Sequence, residues 1–344
     1  MRELTIRRPD DWHLHLRDGA ELASVLPFTT KRFARAVVMP NLKPAITTTA
    51  AALAYRERIL AALPAGSEFQ PLMTLYLTDQ TDPRELDRAV ASGHIHGCKL
   101  YPAGATTHSD AGVTDIRRID AVLGRMAELG MVLQVHGEAT GNVDIFDREV
   151  RFIETVLEPT VQRFPTLKVV FEHITTAAAV QYVTGARRGV AATVTPQHLL
   201  YNRNAIFQGG IRPHYYCLPI LKTEADREAL LAAAVSGNPR FFLGTDSAPH
   251  GQSSKENACG CAGMFSAHAG IELYAEAFAL ANSLPRLEGF ASDFGADFYG
   301  LPHNTGKLTL VEESWSPPAH YAYGRERIVP MRAGESIGWR VAGE

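Results

Sequence analysis

The chain has 344 residues, 46% hydrophobic and 21% charged, with a formal net charge of −3. This permits a large buried core, and the lack of a Lys/Arg block argues against a nucleic-acid or anionic-membrane surface. A polar start (MRELTIRRPDDW), no run as long as a membrane span, and only four cysteines (Cys98, Cys217, Cys259, Cys261) predict a cytoplasmic protein with reduced thiols.

Residues 1–11 read as a short β-like lead. Eight short apolar runs then predict buried strands at 12–16, 34–39, 69–77, 97–101, 132–136, 168–173, 190–195 and 240–246. They are mostly continuous rather than alternating, as expected of strands covered on both faces. Helical spacing fills the gaps between them. Ile116, Ile119, Leu123 and Met126 share one face, with Thr114 as N-cap and Gly130 at the C-terminal end. Thr223 caps a second helix that ends before Gly237. A helix is expected near 287–298, followed by an irregular tail. Eight strand–helix alternations without a flexible linker favour a distorted (β/α)8 TIM barrel with short terminal additions over an open sheet, with residues 1–344 as a single domain.

In such a barrel the strands' C-terminal ends carry the chemistry. The first ends in His13-Leu14-His15-Leu16-Arg17, where alternation sends His13, His15 and Arg17 to one face and both leucines to the other. Two imidazoles about 7 Å apart along a strand can converge on one ion, with a cation beside its open side. The other ends supply Asn41, Lys99, His136, His173 and Asp246. Each residue alone has an ordinary reading: a hydrogen-bonded histidine, a capping aspartate, a snorkelling lysine. Joint occurrence at one rim favours a metal site. His94-x-His96 has the same spacing but precedes its strand, which places it at the opposite end, on the surface.

Lys99 is the discriminating residue. Six rim residues fit two metals only if one of them bridges, and an ammonium cannot ligate a cation. A buried lysine has a lowered pKa, and its neutral amine can add carbon dioxide to give a carbamate. That oxygen-bearing anion is able to bridge two ions.

The segments HLHLRD, MPNLKP, KLYPAGATT, VHGE, FEHIT, TPQHL, RPHYYCLPILK and GTDSAPH resemble the signature segments of the bacterial, single-function dihydroorotases of the amidohydrolase superfamily. The resemblance runs from about Ile6 to near Glu335. It implies a distorted (β/α)8 barrel with two zinc ions per subunit, acting on N-carbamoyl-L-aspartate and L-dihydroorotate in pyrimidine biosynthesis, in a homodimer. Carried over by position, it makes His13, His15 and Asp246 ligands of one zinc and His136 and His173 ligands of the other, with carboxylated Lys99 bridging. A hydroxide between the metals is then the nucleophile, and Asp246 the general acid/base. The resemblance also assigns Arg17, Asn41 and His250 to the substrate's α-carboxylate, with His15 and His136 also beside the substrate. Backbone groups of Leu218 and Ala262 contact the ring amide and carboxylate regions, and Thr106 and Thr107 lie on a mobile loop. Gly104 stands where a close relative is expected to have Asn.

Glu138 and Glu172 are read as lying on the strand parity opposite to the ligands, supporting them or facing the helices, while His198 and His214 are read as structural. Three rivals remain open. Hydantoinases and allantoinases share the metal motif, a mononuclear deaminase would have no use for Lys99, and a noncatalytic barrel would be expected to have lost ligands.

Overall fold

The computed structural model describes residues 2–343. The chain starts on β1 (Glu3–Arg7), an outlying strand. It then runs through β2 (Asp10–Leu14), β3 (Arg35–Val38), β4 (Gln70–Tyr76), β5 (Ile95–Leu100), β6 (Val132–His136), β7 (Lys168–Glu172), β8 (Val190–Val194) and β9 (Phe241–Leu243). These eight pair in parallel in sequence order, β2 to β9. The seam between β9 and β2 is joined by an isolated parallel bridge from Leu14 to Ser247. Asp246 N donates to His13 O (2.9 Å) and His15 N to Ser247 O (3.1 Å). Buried Asp11 reinforces this seam by accepting from Thr245 N (2.9 Å) and Thr245 Oγ1 (2.5 Å). The expected barrel is present, and the site lies at this seam.

The parallel strands are apolar on both faces because each face packs on something. Leu14, Val38, Leu75, Leu133, Phe171 and Leu243 point outward to the helical layer. Trp12, Met39, Leu72, Val132, Val170 and Phe242 fill the interior. The short helix Phe294–Tyr299 plugs the N-terminal mouth of the barrel, with Tyr299 stacked on Trp12 at 4.7 Å between centroids. Gly295 is required there, since a Cβ would fall 2.1 Å from Trp12 Nε1. With one mouth blocked, access is from the opposite rim.

Three details differ from the sequence reading. The helix at 116–129 begins as a 3-10 turn capped by Asp115, which accepts from Arg117 N, whereas Thr114 bonds Asp79. The acidic residue nearer the turn took the capping position. The 287–298 helix is a π-turn (Gly289–Asp293) followed by the plug helix. The tail is not wholly irregular. It forms β10 (Lys307–Val311), the hairpin β11 (Tyr321–Tyr323) and β12 (Glu326–Ile328), and β13 (Arg340–Val341). β1 pairs antiparallel with β10, which pairs with β13, so distant contacts that periodicity does not reveal order the tail. The helix at Glu224–Val235 has its expected Thr223 cap, completed by Asp226 into a capping box. No helix among the described residues is long and apolar enough to cross a membrane.

Candidate metal centre

Backbone irregularities aim the ligands. The β2–β3 register shifts between Asp11 and Leu14. Trp12 fills the barrel interior and Leu14 faces the helices, while the intervening His13 also turns inward, toward Glu172 and Asp246. Two successive residues on one face are the mark of a bulge. The chain leaves the strand after Leu14, and Arg17 has φ 60°. His173 (φ 43°) and Asp246 (φ 44°) likewise sit in the left-handed region just beyond β7 and β9. Such backbone is costly for non-glycine residues and is often held at functional sites. Gly244 keeps the space clear, because a Cβ there would lie 3.1 Å from that of His13.

His13, His15 and Asp246 are buried, and their ligand atoms lie within 4.8 Å of one another. Asp246 Oδ1 is 3.4 Å from His13 Nε2 and 3.1 Å from His15 Nε2. The opposite nitrogens are held from behind. His13 Nδ1 is 2.9 Å from Glu172 Oε2, and His15 Nδ1 is 2.8 Å from Asn41 Oδ1. This is how ligating imidazoles are oriented around a metal. The His173 ring is 4.9 Å from His13 and 4.9 Å from His136, which extends the cluster across the rim. His136 Nε2 is engaged by Glu138 Oε2 at 2.8 Å, which leaves Nδ1 for an ion.

The electrostatics favour a cation. Burial opposes ionisation of Asp246, but the neighbouring His13 and His15 rings outweigh it and hold its pKa well below the usual carboxylate range. Burial pulls His15 down to about 4, and burial followed by the Lys99 charge pulls His173 well below its ordinary value. His13 goes the other way: burial and the Lys99 charge oppose its protonation, but Glu172 and Asp246 prevail and raise its pKa, so an ion binding there displaces its proton. Neutral His15 and His173 and an ionised Asp246 are already in the states that bind metal.

Lys99 is fully buried and its Nζ has no hydrogen-bond partner. The Tyr101 ring face, 5.2 Å away, offers it weak compensation. Burial lowers its pKa to about 8. His173 Nδ1 is also buried without a partner. An orphaned amine and an orphaned imidazole nitrogen inside a ring of donors are costly left bare. They fit a centre in which metal ions, and a carboxylated Lys99, complete the bonding.

The remaining predicted residues surround this cluster. Arg17 Nε donates to Pro249 O (3.0 Å), and its Nη2 lies 3.1 Å from His250 Nε2. His250 Nε2 is also 3.0 Å from Ala262 O. The 102–113 loop covers the site: Asn41 Nδ2 reaches Thr107 O (3.4 Å), and Ala262 N donates to Thr107 Oγ1 (3.3 Å). Beneath it lies a cavity of only about 30 Å³, lined by His13, His15, Arg17, Asn41, Thr106, Thr107, His136, His173, Leu218, Asp246 and Ala262. That is about one water's share of liquid volume. Outside it, an open cleft of about 650 Å³ shares Arg17 and Asn41 with it and is also lined by His250.

Glu138 and Glu172 do support the ligands, one of the two roles expected of them, but their strand parity is not the one expected. Val170 faces the barrel interior and Phe171 the helices, so alternation turns Glu172 inward, where it contacts His13 and accepts from Thr193 Oγ1 (2.5 Å). Glu138 stands two residues from His136, on its own parity, and touches it. Counting i, i+2 from the interior valines would have found both. The resemblance assigns Asn41 to the substrate alone, yet its side chain also orients His15. His94 and His96 lie at the far end of β5, with His94 exposed and His96 half-buried. His198 is buried against Thr195 Oγ1 (2.7 Å) and Pro219 O (3.0 Å), and His214 pairs with Glu256 at the surface. All four cysteines are free thiols.

A sequence profile of the amidohydrolase family matches residues 10–310. A dihydroorotase of Azoarcus sp. (strain BH72) is 65% identical over 344 residues, covering 99% of this chain and 100% of that protein. The chain belongs to the dihydroorotase family of amidohydrolases. The crystal structure of dihydroorotase from Campylobacter jejuni is 36% identical with a TM-score of 0.91, over 99% of this chain and 97% of that one. The Saccharomyces cerevisiae dihydroorotase, solved in complex with 5-fluoroorotic acid, is 32% identical with a TM-score of 0.91, over 99% and 98% of the two chains. The dihydroorotase likeness thus extends beyond the barrel to the terminal strands. The enzyme is a hydrolase, and His13, His15 and Asp246 form its candidate metal group.

Proposed function

We propose that the chain, as a single barrel unit over residues 1–344, catalyses the reversible cyclisation of N-carbamoyl-L-aspartate to L-dihydroorotate with release of water, in pyrimidine biosynthesis. The observation that carries this reading is the orphaned Lys99 amine enclosed by the histidine–aspartate ring, with Arg17 and His250 paired beside it. In this reading His13, His15 and Asp246 hold one zinc ion, His136 and His173 hold the other, and a carbon dioxide-derived carbamate on Lys99 joins the two sets. Bound there, zinc supplies an activated water at neutral pH and polarises the carbonyl under attack.

The side chains do the rest. Asp246 Oδ1, steadied by both imidazoles, takes the water's proton in ring opening and returns it to the leaving amide nitrogen. In cyclisation it deprotonates the attacking carbamoyl nitrogen. Arg17 presents a planar fork to the α-carboxylate, joined by Asn41 and His250. Backbone groups of Leu218 and Ala262 flank the ring, and Thr106 and Thr107 close over it and exclude water. The free thiols support a cytoplasmic setting, and the family a homodimer.

The direct test is zinc-loaded enzyme assayed on dihydroorotate, hydantoin and allantoin in parallel. Dihydroorotate is expected to be turned over fastest; faster hydantoin or allantoin hydrolysis would overturn the assignment. Arg17→Met is expected to raise KM for dihydroorotate about tenfold or more, since a charged hydrogen bond contributes about 1.5–3 kcal/mol, while zinc content holds. Loss of zinc instead would make Arg17 a support of the metal site. Glu172→Gln removes the charge behind His13 and is expected to weaken zinc binding about 10–100-fold. Competition against a chelator measures this, and an unchanged affinity would show that Glu172 serves only packing.

A further inference from the structure

The segment after Asp246 carries a buried cation that the site described above does not use. Lys255 ends the short helix Gln252–Lys255 and is only 3% exposed. Its Nζ donates to Tyr216 O (2.7 Å), Cys261 O (2.7 Å) and Gly263 O (2.8 Å). Three N–H groups thus meet three carbonyls. Burial lowers its pKa to about 8, which leaves the ammonium largely protonated at pH 7 with all three hydrogens in place.

These carbonyls belong to the two segments that carry Leu218 and Ala262. Gly263 N donates to Tyr216 O (3.0 Å) and ties the segments together. Gly263 itself has φ 146° and no room for a side chain, since a Cβ would lie 2.6 Å from Ala248 O. Cys261 C=O and Ala262 N–H are the two ends of one planar peptide. Its oxygen rests on the Lys255 ammonium, and its N–H faces the cavity, where Thr107 Oγ1 accepts it at 3.3 Å. A cation on the carbonyl end strengthens the dipole whose positive end faces the substrate.

We propose that Lys255 is a positioning residue that fixes and polarises the Cys261–Ala262 peptide, so that Ala262 N–H receives the substrate's carboxylate. This rests on the dihydroorotate reading of the same site.

The test uses the zinc-loaded full chain with Lys255→Met and Lys255→Gln, the second keeping donors but not charge. Lys255→Met is expected to raise KM for dihydroorotate about tenfold, the weight of one charged hydrogen bond. Its kcat should stay within about threefold and its zinc content should not change. Lys255→Gln is expected to fall between it and the wild type. An unchanged KM in folded, zinc-loaded Lys255→Met overturns the proposal, as does a parallel loss of kcat and zinc. If Lys255→Met does not fold, a wild-type KM in Lys255→Gln overturns it and a raised KM supports it. Should the wild type not hydrolyse dihydroorotate, the functional reading fails first, and calorimetric binding of orotate, a planar carboxylate, then decides Lys255. Weaker orotate binding by Lys255→Met supports the proposal, equal binding overturns it, and no binding by the wild type overturns both.

Discussion

Lys99→Ala is expected to cost about three orders of magnitude or more in dihydroorotate turnover, the rate equivalent of the several kcal/mol that a metal centre supplies. The reason is local. Lys99 stands fully buried with an unpartnered Nζ amid His13, His173, Glu172 and Asp246, so no other group can take its place. Lys99 Nζ makes no hydrogen bond to the rest of the chain, so the fold is expected to survive the substitution. Zinc content should fall, and short carboxylic acids should restore part of the activity by supplying the missing oxygens. Normal turnover in Lys99→Ala would sink the carbamate hypothesis, whereas lost activity with no change in zinc would give Lys99 a role other than bridging.

Asp246→Asn is the second large expectation, a loss of about 10²–10⁴-fold in kcat, the usual contribution of a positioned proton carrier. Asn keeps the shape but neither the charge that holds His13 and His15 nor the basicity to accept a proton. The Asp246 carboxyl is held well below its ordinary pKa, with burial opposing and the His13 and His15 contacts prevailing, so it is ionised across the neutral range. Stopped-flow measurement at saturating substrate separates the chemical step from binding. An Asp246→Asn enzyme that retains zinc and wild-type kcat would remove Asp246 from proton transfer.

Much of this site was legible because barrel strands end where their chemistry begins. The HLHLR alternation, Lys99 after the apolar GC pair and Asp246 after FFLGT each lie at a strand's C-terminal end, and the structure brings them to one rim. What escaped depended on departures from ideal strands. The bulge at Asp11–Leu14 lets Trp12 and His13 share a face, and positive φ at His173 and Asp246 turns those side chains inward, so simple parity misplaced Glu172. The β1–β10–β13 sheet links residues about 300 positions apart, which local periodicity cannot report. Asn41 and Lys255 were hidden for another reason: their partners are a ligand's far nitrogen and three backbone carbonyls, neither of which has a sequence signature.

The most direct test is a zinc titration of the metal-depleted enzyme, with bicarbonate present, following dihydroorotate hydrolysis. Activity is expected to climb until two equivalents per chain are bound and to stay flat beyond. Full turnover at one equivalent, or turnover independent of zinc, would contradict a Lys99-bridged pair of metals.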